Sequence, residues 1–453
     1  MLRQLMADHF ALRAKEEVHH AQVMDAQGIP HTAHEDNHTR PLVTIFGPIP
    51  VSRVAYRHKG TTNLYPADLV ANLPSESYSH GLREIAARTA LQDSFDSTVD
   101  TIAHQTGQRL GKRQVEQLVG KAARDVDAFY AQQPRLPVAA HQVLVLSVDG
   151  KGIVMRREGL RPSTAKVGNA GHKLQTRLSS GEKRGRKRMA EVGSVYGVTP
   201  VVRTPSDILS PPSADSPAAK TPGPKAQDKW LTASVVGDVR SVIQTVMDEA
   251  ERRDPHHERP WLGLVDGNND QLRHLQTEAD QRHIDLQLFI DFIHVLEYLW
   301  KAAWCFFVAG DPQAEAWVLH HGLAILHGKS SVVAGAIRRK ATTNHLTKDQ
   351  RKAADRCADY LLHKRAYLDY PTALAQGWPI ATGIIEGACR HLVKDRFDIT
   401  GARWGLAGAE AILKLRAVWS NDDWTAYWAY HLAQEQQRVH RERYAPGSFS
   451  AAA

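Results

Sequence analysis

HQVLVLSVDG (residues 141–150) and WLGLVDG (residues 261–267) are the two stretches on which the fold turns. Each is apolar almost without interruption, as expected of a strand covered on both faces of a sheet rather than one alternating between core and water. Each then stops on Asp-Gly, at Asp149-Gly150 and Asp266-Gly267. A single Asp-Gly after a strand is a common turn. Two matched ones place two carboxylates at the same end of one sheet, the edge where α/β proteins build their sites.

Working outward, IVMRREGLRP (153–162) reads as a second strand and KWLTASVVG (229–237) as a third. WLGLVDG is then the fourth and DLQLFID (285–291) the fifth. Between the third and fourth, Val242, Val246 and Ala250 share one face of a helix expected over Val239–Arg253, and DQLRHLQTEADQRH leads helically into the fifth. The basic run RLSSGEKRGRKRMAE carries Arg184, Arg186, Lys187 and Arg188 too densely to pack on a core. It suits a phosphate backbone or a solvated loop. The Pro/Ser/Ala-rich segment after it completes a flexible insertion over about 175–228.

Upstream, residues 1–65 read as a helix and short strands, the latter in PLVTIFGPIPVSRVAY (41–56). Before them HTAHEDNHTR (31–40) offers His31, His34 and His38, either as surface histidines of a mobile segment or as metal ligands. Over 66–138 the pattern is helical. Thr98, Val99, Ile102 and Ala103 form one stripe, TGQRLG breaks it, and Val115, Leu118, Val119 and Ala122 restart it. A DNA-reading helix-turn-helix of this form presents Lys112, Arg113 and Gln114 at the start of its second helix, and an ordinary helical hairpin has the same pattern. The first part of the core then spans 139–310, a helical segment 311–377, and 378–453 completes the core with further helices.

Within that last part, TGIIEGACRHLVKDRF puts Ile385, Cys389 and Leu392 on one helical face and Glu386, Arg390 and Lys394 on another. Asp291 and His294 fall on one turn at a strand-to-helix junction. Asp291 there caps the helix or replaces Asp266 as a metal ligand; with Asp266 ranked ahead, Asp291 and His294 are read as groups that support the metal ligands or position the DNA. Two strand-borne acids followed by a helix-borne Glu386 is an RNase H-like order, in a mixed five-stranded sheet flanked by helices. Carboxylates with open positions suit Mg²⁺ and phosphoryl transfer.

Composition agrees with a nucleic-acid partner: the 453 residues carry a formal charge of +8, with a pI near 9.3. Cys305, Cys357 and Cys389 form no CxxC pair, which argues against a disulfide framework or cysteine zinc site and for a reducing cytoplasm. No long apolar run or leader-like start is present, so neither export nor membrane insertion is expected. No dinucleotide or P-loop fingerprint occurs, because GKG after Asp149 has the wrong spacing.

LSVDGKGIVMR, GPKAQDKWLTASV, LVDGNND, DFIHVLEYLWKAAWCF, YPTALAQGWPIATGIIEGACRHLVKDR and DITGARWGLAGAEAILKLRA together resemble bacterial insertion-sequence transposases of the ISKra type, in the Mutator-like superfamily of DDE transposases. The resemblance covers about Pro41 to Tyr444. It implies a catalytic, metal-holding triad of Asp149, Asp266 and Glu386, an Asp-x-x-His signature at Asp291 and His294, and an all-helical insertion before the glutamate helix. It further implies Mg²⁺ dependence with Mn²⁺ as a substitute, binding to terminal inverted repeats and target DNA, and a homo-oligomer on DNA in the nucleoid-associated cytoplasm. A metal-dependent nuclease without strand transfer, or a non-enzymatic DNA-binding derivative, shares much of the same pattern.

Overall fold

The computed structural model describes residues 1–135, 137–169, 185–210 and 221–448. Contacts divide the chain into two units. One comprises Met1–Gln133, Val154–Arg186 and Asp395–Ala453, the other Pro134–Ile153 and Lys187–Lys394. In this division Lys394 closes the second unit, and the chain from Asp395 on groups with the N-terminal region.

In the first unit a helix, Leu2–Lys15, precedes two antiparallel pairs: β1 (Val23–Met24) with β2 (Pro30–His31), and β3 (Ala33–Thr44) with β4 (Gly47–Arg57). The hairpin is longer than the sequence reading anticipated, because β3 begins inside the His-rich stretch. That stretch is a strand, not a mobile loop: ladder bonds to β4 order a backbone whose side chains stay mostly exposed. His31 is fully buried, its ring between the Asp25 carboxylate at 3.4 Å and the Tyr56 carbonyl at 3.3 Å.

Helices follow at His80–Gln92, Phe95–Thr106 and Lys112–Ala122. Ser79 and Ser94 cap the first two, and Gly107, at φ +69°, closes the second in the left-handed conformation a glycine tolerates. The expected helix-turn-helix outline is present, with Val115, Leu118, Val119 and Ala122 buried. The C-terminal helices Leu406–Ser420 and Trp424–Val439 pack in the same unit. There the Arg83 guanidinium donates twice to the Glu435 carboxylate, at 2.7 and 2.9 Å.

The second unit holds a mixed five-stranded sheet ordered β7-β6-β5-β8-β9 and flanked by helices. Its strands are β5 (Val143–Val154), β6 (Lys187–Val198), β7 (Ala226–Ser234), β8 (Trp261–Val265) and β9 (Leu286–Ile290). β5 pairs parallel with β8 and β8 with β9, while β6 and β7 are antiparallel.

Two sequence expectations are corrected. The stretch 153–162 is not a second strand: β5 runs unbroken through Asp149-Gly150 to Val154. The glycines there are not turn residues. A Cβ on Gly150 would lie 2.9 Å from the Met189 side chain and one on Gly152 2.9 Å from that of Lys187, so glycine clears room for neighbouring side chains.

The true second strand is β6, which falls inside the expected flexible insertion, as do the short helix Pro205–Ile208 and the start of β7. The cations hid it. Arg188 donates to the Val235 and Val236 carbonyls at 2.6 and 3.2 Å, so here a charged side chain serves the fold, and the apolar run after it is buried. Residues 170–184 and 211–220 lie outside the described residues, and Arg184 with them.

Helix Val239–Arg253 buries Val242, Val246 and Ala250 as anticipated, and Asn269–Arg282 links β8 to β9. After β9 come Phe292–Ala303, Pro312–Leu326, Ser330–Thr343, Lys352–His363 and Tyr370–Ala375. Their apolar faces form one cluster with strand residues such as Leu262, Leu264 and Phe289. Among the described residues no helix is long and apolar enough to cross a membrane.

Candidate metal centre

The sheet register sets the acids. Val265 pairs with Ile290, so the next residues, Asp266 and Asp291, stand level at the ends of β8 and β9, and the Asp291 amide donates to the Val265 carbonyl at 2.8 Å. Leu146 pairs with Gly263, which in continued register sets Asp149 level with Asp266. Parallel neighbours lie about 4.8 Å apart. Asp266 and Asp291 thus share one level, and Asp149 reaches it only if the β5–β8 register continues past its last pair. The sequence reading expected Asp149 to end a strand as Asp266 does; instead it sits within β5, beyond the last β5–β8 pair.

Asp291 is wholly buried. One carboxylate oxygen accepts the Ile293 amide at 2.6 Å, capping Phe292–Ala303. The other accepts both the amide of Thr382, at 2.8 Å, and its hydroxyl. Thr382 is the residue from which the Glu386 helix, Gly383–Ala388, departs. With the Phe292 amide donating to the Ile380 carbonyl at 2.8 Å, these bonds fasten that helix to the end of β9.

The helix continues with π geometry over Cys389–Lys394, a local irregularity often found at working sites. Ile385, Cys389 and Leu392 are buried, and Glu386, Arg390 and Lys394 are exposed, as the sequence stripes required. The Cys389 thiol donates to Asp149 at 3.2 Å, and burial, then the neighbouring Asp149, pushes that thiol far above its ordinary range. It is a neutral donor that fixes one carboxylate oxygen. The other accepts the Gly150 amide at 2.6 Å.

Glu386, Asp291 and His294 each bring one ligand atom within 4.8 Å of the others. Asp149 and Asp266 are not in such a group, although Asp149 contributes to the field at Glu386. The Glu386 carboxyl is raised above its ordinary value, by partial burial first and then by Asp291, with Glu297 and Asp149 adding and His294 opposing. A divalent cation would reverse that field. His294 has a buried Nδ1 without a hydrogen-bond partner.

Asp266 has one carboxylate oxygen bonded to the Asn268 amide at 2.8 Å, and its carbonyl accepts the Tyr360 hydroxyl at 3.1 Å. Tyr360 in turn stacks on Tyr298, ring centres 4.0 Å apart. Gly267, at φ +92°, turns the chain away beneath Tyr360.

Of the expected DNA contacts, Lys112 pairs with Asp96 at 2.7 Å and the Gln114 side chain accepts the Gly111 amide at 2.8 Å, closing its own helix. Arg113 and Lys187 are exposed, and Arg186 is half-buried. Sequence reasoning missed Thr382, Cys389 and Tyr360. Thr382 alone left a signal, a threonine where a helix starts. No protein-family model matches the chain, and a search of curated proteins found no match.

Proposed function

We propose that the chain is a DDE-type transposase with an RNase H-like core, cleaving and joining DNA at the ends of a mobile element. The observation that carries this reading is that Asp149, Asp266 and Asp291 fall within or at the ends of adjacent strands, with the Glu386 helix fastened beside them. Strand order β7-β6-β5-β8-β9, with an antiparallel β6–β7 pair and a parallel β5–β8–β9 run, supports it, as does the helical stretch between β9 and Glu386.

The donor chemistry fits Mg²⁺ or Mn²⁺, which take carboxylate oxygens and retain water. The unpartnered His294 Nδ1 next to Glu386 is consistent with an absent ligand. Asp149, Asp266 and Glu386 would hold the metal; Asp291, both of whose oxygens are occupied by Thr382 and Ile293, is a positioning residue. When bound, such an ion activates a water or 3′-hydroxyl and stabilises a leaving oxygen.

The chain's own groups do the rest. Cys389 orients Asp149, Asp291 holds the Glu386 helix in register, and exposed Arg390 and Lys394 on that helix are the cations expected to meet DNA phosphates. In the second unit exposed Lys187 is a further cation for DNA, in the first unit Arg113 and Arg186 are others, and Arg188 is committed to backbone carbonyls. Terminal inverted repeats and a second copy of the chain are the partners this activity requires.

The test is incubation of the purified chain with Mg²⁺ and DNA carrying the element's ends, with sequencing of the products. Joined ends support a transposase. Cleavage without joining assigns a nuclease, and binding without cleavage a non-enzymatic derivative.

A further inference from the structure

The first unit holds a second group of potential ligands, His19, His34 and Asp36, remote in sequence from the acids above and independent of the proposed activity. His34 lies in the regular part of β3 and Asp36 in the bulge just after it, between Glu35 and His38, and the bulge leaves the Asp36 carboxylate 4.0 Å from the His34 ring. His19 arrives from the segment after the first helix, and that segment is held on both sides of it. The Glu17 carboxylate accepts the Val54 amide at 2.9 Å, and the His20 amide donates to the Tyr56 hydroxyl at 2.8 Å. Tyr56 is itself the cross-strand partner of His34. One buried tyrosine therefore positions both imidazoles, whose rings meet edge to face at 5.3 Å.

The two separations to Asp36 come close to those of a metal polyhedron, and all three ligand atoms lie within 4.8 Å of one another. The Nε2 atoms of His19 and His34 lie 3.8 and 4.0 Å from one oxygen of Asp36. Donors about 2.0–2.1 Å from a tetrahedral Zn²⁺ stand roughly 3.4 Å apart. Closing the difference takes about half an ångström, small for side chains on staggered rotamers near the surface. Two imidazoles with one carboxylate favour Zn²⁺ and its transition-metal neighbours over Mg²⁺, which prefers oxygen throughout.

We infer that His19, His34 and Asp36 form a Zn²⁺-class site that ties the segment after the first helix to the β3–β4 hairpin, with the fourth position open to solvent. The sequence pointed to His31, His34 and His38 as candidate ligands. Both ring nitrogens of His31 are engaged, by the Asp25 carboxylate and the Tyr56 carbonyl, and His38 lies outside the group.

The experiment is a Zn²⁺ titration of the full, untagged chain in excess Mg²⁺, read by competition with a chromophoric chelator. Outer-shell partners alone are worth roughly 10- to 100-fold in metal affinity, so loss of a direct ligand weakens binding by roughly tenfold or more. One Zn²⁺ equivalent seen in the wild type should disappear in His19→Ala, His34→Ala and Asp36→Ala and persist in His38→Ala and His294→Ala. The three ligand side chains are 52, 45 and 56 % exposed, so these variants keep the fold, which circular dichroism checks. Zn²⁺ binding unchanged in all three, or lost only in His294→Ala, overturns the site.

Discussion

Replacing Asp291 by alanine separates a ligand from a strut. Its buried carboxylate accepts the Ile293 amide, the Thr382 amide and the Thr382 hydroxyl. The hydroxyl can turn to another acceptor, but the two amides cannot. The buried Thr382 amide left unpaired costs about 1–3 kcal/mol and loss of the cap at Ile293 about 0.5–2 kcal/mol, so Asp291→Ala should destabilise the second unit by about 2–5 kcal/mol and unfasten the Glu386 helix. Asp291→Asn, which keeps one acceptor oxygen but turns an NH₂ toward a remaining donor, should lose about 1–2 kcal/mol. Asp266→Ala removes a single amide bond at a half-buried position and should cost under about 1 kcal/mol while abolishing Mg²⁺ binding. Urea unfolding gives the stabilities, amide exchange at Ile293 and Thr382 localises the effect, and calorimetry gives Mg²⁺ affinity. If Asp291→Ala kept the wild-type urea midpoint and amide protection yet lost Mg²⁺ binding, Asp291 would be a direct ligand and not the positioning residue assigned to it.

Gly267→Ala places a Cβ 2.9 Å from the Tyr360 hydroxyl at a φ of +92°. It should cost about 1–3 kcal/mol and displace Asp266, measured as a lower melting temperature together with weaker Mg²⁺ binding. Glu435→Gln strips the nearer of two charges opposing buried Arg83, leaving Glu76 at 3.8 Å, and should destabilise the first unit by about 1–3 kcal/mol in urea unfolding. At Asp125 burial pushes the carboxyl up, but hydrogen bonds from His431 and Arg438 outweigh it and hold the group at about 2, below the ordinary 3.8. A carboxyl depressed in the folded state adds stability above its unfolded value and loses it as pH falls through the folded one. The urea midpoint should therefore drop as pH falls from 3.8 to about 2, and Asp125→Asn should flatten that drop.

The acids could be read because they follow apolar strands, and the Glu386 helix could be read because its buried stripe, Ile385, Cys389 and Leu392, repeats with helical spacing. Periodicity is local, and a local pattern survives in sequence. The second strand did not, because cations at its start outweighed the apolar run that follows, and only Arg188 meeting the Val235 and Val236 carbonyls reveals why a strand tolerates them. The unbroken β5 was hidden for a related reason: Gly150 and Gly152 look like turn residues until neighbouring side chains are seen to occupy the space they leave.

Sequence alone determined the apolar strands that lead to the acids, the helical faces and the identity of the acidic side chains, since each follows from the preferences of a few consecutive residues. Tertiary structure alone decided which groups meet. Register set Asp266 and Asp291 level, Thr382 claimed Asp291 for the fold, and Tyr56 brought His19 to His34. Those pairings join residues far apart along the chain, and their energies exist only once strands have paired and water has been excluded.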